Sequence, residues 1–215
     1  MVGKSNYQIF KSSIFLLCKK VWQNTSIKIL GGKNLNYFED INYKIISKKE
    51  AYKGKRISVE EVIYNNGEKD FYRQHVKAGN AVVILAITED NKVLMVREAR
   101  SAIGKIVLTL PAGKLEENED PKQAAIRELE EETGYKANNV TLLRSTYASC
   151  GYTDEKIYYY LANDLEKSKQ NLDEDEEVEI FEIPIEEFKA MIDKNEIITA
   201  STTIAGLHYF SYIAK

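Results

Sequence analysis

The chain has 215 residues, 44% hydrophobic and 29% charged, enough for one ordinary globular domain with a sizeable core plus an appendage. Its formal net charge of −3 supplies no general basic face for nucleic acid or an anionic membrane. Two cysteines far apart, Cys18 and Cys150, form no disulfide framework or zinc spacing and fit a reducing cytoplasm, and with His75 and His208 the only histidines a histidine-rich metal site is excluded.

From the N-terminus, the apolar run Ile14 to Cys18 is bounded by Lys11 and Lys19-Lys20, too short for a membrane span and without a signal-peptide cleavage pattern. Ile9, Phe10, Ile14, Leu17 and Val21 recur at helical spacing and predict an amphipathic helix from Tyr7 to Trp22 that packs on the rest of the chain or on a partner subunit. Gly31-Gly32-Lys33-Asn34 marks a break, and residues 1–41 read as an extension ahead of a domain over 42–215. Arg56 to Tyr64 and Lys69 to Lys77 alternate like strands around Asn65-Asn66-Gly67, a hairpin signal. Ala81 to Thr88 and Lys92 to Arg97 predict a second hairpin over Asp90-Asn91. Later strands are expected over 140–148, 156–161 and 178–183, and helices over 185–194 and 201–214, with His208 packed on the last. This order predicts an α/β (α+β) fold: an α/β/α sandwich with a mixed sheet, preceded by N-terminal antiparallel strands.

Between these blocks a helix from Pro121 to Thr133 is well signalled: Asp120 suits the N-cap, Pro121 the first helical position, Gln123 a capping box and Gly134 the C′ position. Its C-terminal turn carries Glu130, Glu131 and Glu132, where the helix dipole favours cations, so something positive is expected nearby. Glu128 lies at i+3 and i+4 from Glu131 and Glu132, and the three carboxylates can share a face. From Gly113 to Gly134, eight acids (Glu116, Glu117, Glu119, Asp120, Glu128, Glu130, Glu131, Glu132) stand against Lys114, Lys122 and Arg127. On helix chemistry alone two readings stay open, a solvated acidic face and a site for a hard divalent cation such as Mg²⁺ or Mn²⁺.

The full spacing separates them. Gly113, Glu119, Arg127-Glu128-Leu129, Glu131-Glu132 and Gly134-Tyr135 fill every fixed position of the Nudix box, so the chain resembles the Nudix hydrolases, which cleave a nucleoside diphosphate linked to another group. Leu110 to Glu116, Val96 to Arg100, Gly151 to Glu155 and Leu172 to Glu177 resemble segments of the ADP-ribose pyrophosphatase branch, and the similarity spans roughly residues 42 to 215. The resemblance implies a magnesium-dependent hydrolase, Mn²⁺ serving as an alternative, with Glu128, Glu132, Glu131 and the Ala112 carbonyl around the metal. It implies that Glu119 and Arg127 orient the box. The catalytic base would be Glu174, with Glu176 as runner-up, from the acidic loop Asp173 to Glu177. Arg100 and Arg73 would contact phosphate or terminal ribose, and strands over 42–79 would build a homodimer that shares its active sites.

Several positions depart from the branch. Glu98-Ala99 stands where relatives carry glutamine and an aromatic, Thr109 where an acid is usual, Gln74 where a carboxylate accompanies Arg73, and Cys150 where a proline precedes Gly151. Loss of a stacking surface and of hydroxyl acceptors bears on sugar and base recognition and leaves the metal positions intact. The expected reaction is hydrolysis of a nucleoside diphosphate sugar, ADP-ribose to AMP and ribose 5-phosphate. The alternatives are another nucleotide sugar such as GDP-mannose, and a non-catalytic nucleotide sensor. A sensor is free to lose box carboxylates, and none is lost here.

Overall fold

The computed structural model describes residues 40–172 and 177–214; the predicted helix over 7–22 and the acids Glu174 and Glu176 lie outside them. The chain divides into two units, Met1–Lys44 and Ile45–Lys215, and the second carries the elements below. Alternating residues after Arg56 form β2 (Ser58–Asn65), which pairs antiparallel with β3 (Asp70–Lys77) so that Tyr64 faces Phe71. Between them the side-chain oxygens of Asn65 and Asn66 accept from Gly67 N and Glu68 N, the turn chemistry that Asn supplies through its own amide. A strand that alternation did not reveal, β1 (Lys44–Lys53), lies on the other side of β2.

The second expected hairpin is confined to its turn, where Ile87 bridges Val93 and Thr88 N donates to Lys92 O at 2.9 Å. Beyond it β4 (Ala81–Ala86) and β5 (Lys92–Arg100) enter different sheets. β4 is apolar throughout and β5 is apolar and buried over Val93 to Val96, and such stretches are stable at the centre of sheets covered on both faces. Thus β4 lies between β7 (Ala112–Lys114), antiparallel to it, and β9 (Lys156–Lys167), parallel to it, with β8 (Tyr135–Tyr147) beyond β9. β5 is flanked by β6 (Lys105–Thr109) and β10 (Glu179–Pro184). β8 and β9 run longer than expected, because their cross-strand ladder carries polar Asn139 and Asn163 that break the hydrophobic pattern.

The helix α1 (Pro121–Thr133) covers one face of the four-stranded sheet, burying Ala124, Ala125 and Leu129 against Val82, Ile84, Ala86, Val140 and Ala162. On the opposite face Val83, Leu85 and Tyr159 pack with Met95 of β5, Phe188 and Ile192 of α2 (Ile185–Asp193) and Ala205 of α3 (Ala200–Tyr212). This is the expected α/β/α sandwich on a mixed sheet. His208 lies on α3, its ring 5.0 Å from that of Tyr212, and burial beside Arg144 holds its imidazole below the usual value.

Candidate active site

Asp120 caps α1 by accepting from Lys122 N at 2.9 Å and Gln123 N at 3.3 Å, and Gly134 ends it at φ 66°. These signals place Arg127, Glu128, Glu131 and Glu132 on the last two turns, beside the strand that begins at Ala112. Leu129, fully buried, fixes the helix against the sheet and so sets which face these charged residues present.

Arg127 is the hub. Nε and Nη2 hold Glu119 in a bidentate pair at 2.9 and 2.8 Å, Nη1 reaches Glu128 Oε1 at 2.8 Å and Glu131 Oε2 at 2.9 Å, and Nη2 also donates to the Lys114 carbonyl at 3.1 Å. All five guanidinium N–H groups are thereby used. The guanidinium is held above its ordinary value, chiefly by Glu119. Reciprocally, Arg127 holds the Glu119 carboxyl below its ordinary 4.5, helped by the Glu116 amide that donates to Glu119 Oε2. The positive group expected near the acidic turn is therefore a residue of the same helix, which neutralises one of its three carboxylate partners and leaves the group net negative.

Two contacts join this turn to β7. Glu132 is 4% exposed, and its Oε2 accepts from Ala112 N at 3.1 Å. Glu128 lies over Gly113 so closely that a Cβ there would be 2.0 Å from its carboxyl carbon and 2.1 Å from Oε2. Only glycine leaves room for the carboxylate at that point. Among the described residues no three His, Cys, Asp or Glu side chains form a ready-made ligand group, because Glu128 and Glu131 each turn an oxygen to Arg127. The donor set nevertheless fits a hard divalent cation: Glu128 seated in the Gly113 cradle, Glu132 next to Ala112 and Glu131 beside them offer oxygens only.

A cavity of about 570 Å³ is lined by Glu119, Arg127, Glu130 and Glu131 together with Lys136, Lys169 and Asn171, while Glu128 and Glu132 are not part of its lining. That volume is within the range of small-molecule sites, about 300–1,000 Å³. Sequence reasoning missed the segment that borders it. Directly after β9, Ser168 N donates to Gly134 O at 2.6 Å, Asn171 N to Glu131 O at 3.0 Å and Gln170 Nε2 to Glu132 O at 2.7 Å. A polar run without periodicity carries no signal for such contacts.

The predicted phosphate contacts, Arg100 and Arg73, have partners of their own. Arg100, on β5, pairs with Glu98, and its neighbour Arg97 pairs with Glu179 at 2.7 Å. Arg73, on β3, donates to the Tyr72 carbonyl at 2.8 Å and stacks 4.9 Å from the centre of the Phe71 ring. Among the described residues no hydrogen bond or ion pair links either arginine to the Arg127 group. Thr109, where an acid is usual, is buried and shares hydrogen bonds with Thr199 and Thr202 at 3.3 and 2.7 Å, so its place is filled by contacts with α3 and the residue before it.

A family profile described as NUDIX domain matches residues 77–201. The ADP-ribose pyrophosphatase of Bacillus subtilis (strain 168) is 39% identical over 171 residues, covering 78% of this chain and 92% of that protein. The methanol dehydrogenase activator of Bacillus methanolicus is 38% identical over 166 residues, 75% of this chain and 89% of that protein. A crystal structure of an ADP compounds hydrolase superposes with a TM-score of 0.73 at 20% identity, over 82% of this chain and 97% of its own, a likeness of fold.

Proposed function

The chain belongs to the NUDIX domain family, and on that premise we propose that it hydrolyses the pyrophosphate of a nucleoside diphosphate sugar, ADP-ribose foremost, giving AMP and ribose 5-phosphate. The observation that carries the reading is the seating of Glu128 on Gly113 and of Glu132 on Ala112, with Glu128 and Glu131 tied to an Arg127 that has no free donor. That much oriented carboxylate beside a cavity suits a reaction on a polyanion, whose oxygens must be neutralised before water can attack phosphorus.

Glu128, Glu132, Glu131 and the Ala112 carbonyl are the residues proposed to hold Mg²⁺, with Mn²⁺ as a substitute. When bound, the ion neutralises phosphate oxygens and lowers the pKa of coordinated water. Arg127 and Glu119 keep the carboxylates in register, so their loss acts through the ligands. Glu174, with Glu176 as the second choice, is proposed as the base that accepts the proton of the attacking water. Arg100 and Arg73 are proposed to hold the phosphates or the terminal ribose; Arg73 lies on the sheet that we assign to a homodimer through 42–79. Ile45, Ile46 and Tyr52 of β1 are exposed, which supports a second copy covering them. No helix among the described residues is long and apolar enough to cross a membrane, and the free exposed thiol of Cys150 suits the cytoplasm.

The test is Mg²⁺-dependent turnover of ADP-ribose, GDP-mannose, NADH and diadenosine polyphosphates in parallel, with products identified by mass. Preference for ADP-ribose with release of AMP is the expected result. Preference for another substrate overturns the substrate assignment and directs attention to Ala99, Thr109 and Gln74.

A further inference from the structure

The last turn of a helix leaves four carbonyls without intrahelical donors, and in α1 that turn bears Glu131 and Glu132. Gly134 N closes on Glu130 O at 2.8 Å, but the carbonyls of Glu131 and Glu132 are met from outside the helix, by Asn171 N at 3.0 Å and by Gln170 Nε2 at 2.7 Å. The segment is pressed onto the turn: a Cβ on Gly134 would lie 3.0 Å from Gln170 N. Ser168 adds a bond from its hydroxyl to the carboxylate of Glu130, a residue outside the proposed ligand set, at 2.6 Å. Among the described residues Gln170 is thus the one side chain of this segment that grips the main chain of the carboxylate turn.

We infer that Gln170 is a positioning residue: by binding the Glu132 carbonyl it holds the Glu131–Glu132 turn where both carboxylates can serve the divalent cation. The inference rests on the metal assignment made above. Its physical basis is that a backbone carbonyl at a fraying helix end has water as its alternative partner, and a turn free to fray carries its side chains with it. Gln170 is half-buried, so its amide is partly shielded from that competition. With the donor removed, the Glu132–Ala112 and Glu131–Arg127 contacts lose their common anchor.

The experiment is equilibrium Mn²⁺ binding to the full, substrate-free chain, followed by electron paramagnetic resonance, together with the thermal shift produced by Mg²⁺. Gln170→Met, which keeps length and removes the donor, is expected to weaken Mn²⁺ binding roughly tenfold, the effect typical of losing a group that supports a metal ligand. Gln170→Glu, which accepts where Gln170 donates, gives the same reading should Gln170→Met fail to fold. Ser168→Ala, which loosens the segment without touching Glu132 O, is expected to bind Mn²⁺ as wild type does. Unchanged Mn²⁺ affinity in the Gln170 variants overturns the inference even if their melting temperature falls, and so does an equal loss in Ser168→Ala. Glu132→Gln separates the two levels. If it binds Mn²⁺ normally, the metal assignment fails and takes this inference with it; if it loses Mn²⁺ while Gln170→Met does not, the inference alone fails.

Discussion

Around Arg127 every guanidinium donor has an acceptor, and the acceptors come from Glu119, Glu128, Glu131 and the Lys114 carbonyl, all within the same stretch of chain. Along β1 all ten residues are exposed, and Ile45, Ile46 and Tyr52 stand 54%, 47% and 57% open to solvent. The charged region satisfies every donor of its cation and keeps a net negative charge, whereas the apolar side chains of β1 stand open to solvent. Glu131 reaches Arg127 one helical turn away and Glu119 from the loop just before the helix, contacts close in sequence, but β1 is an edge strand with both faces open.

The largest effect is expected at the ligands. Glu132→Gln or Glu131→Gln should lower kcat on the order of a thousandfold, the several kcal/mol that metal-borne charge stabilisation supplies, with an unchanged circular dichroism spectrum. Near wild-type turnover in both would remove the metal site from this turn. Next, Arg127→Met leaves three carboxylates facing one another without their shared cation and should cost about 3 kcal/mol in urea unfolding, the low end for breaking a buried pair because the side chain is 26% exposed. A loss below the range of ordinary surface substitutions would show that the hub is a solvated pair.

Gly113→Ala should come third, lowering turnover by about 10–100-fold because Glu128 must leave its seat. On the other region, Ile46→Glu should halve the solution mass measured by light scattering while leaving the melting profile of each chain nearly intact. An unchanged mass would mean that β1 is not the covered surface. The smallest effect is with pH. Arg127 holds Glu119 below its ordinary 4.5, so the stability contributed by that pair is present above this value and is lost as pH falls through the folded value. The gap in urea midpoint between wild type and Glu119→Gln should accordingly close below 4.5, and a gap that stays constant would break the assignment.

Much of the site could be read from residue order. Asp120, Pro121 and Gly134 marked both ends of α1, and the spacing of Gly113, Glu119 and the glutamates brought the same residues together that the structure brings together. The second hairpin was misread beyond its turn because the apolar stretches of β4 and of β5 over Val93 to Val96 give no face preference, and the two strands found cover in separate sheets. β7 was passed over because three residues are too few to alternate. Nothing in the polar segment after β9 announced that Gln170 would meet Glu132, thirty-eight positions away.

Periodicity and spacing along the chain sufficed for α1, its caps, the paired acids and the sandwich class, since each depends on neighbours within a turn or on the alternation of one strand. Packing between distant segments settled the rest: which sheet each apolar strand joins, that Thr109 bonds Thr202 of α3, and that Gln170 closes the carboxylate turn. Those outcomes depend on buried apolar area and on donors meeting acceptors across loops, quantities that a linear pattern of residues does not contain.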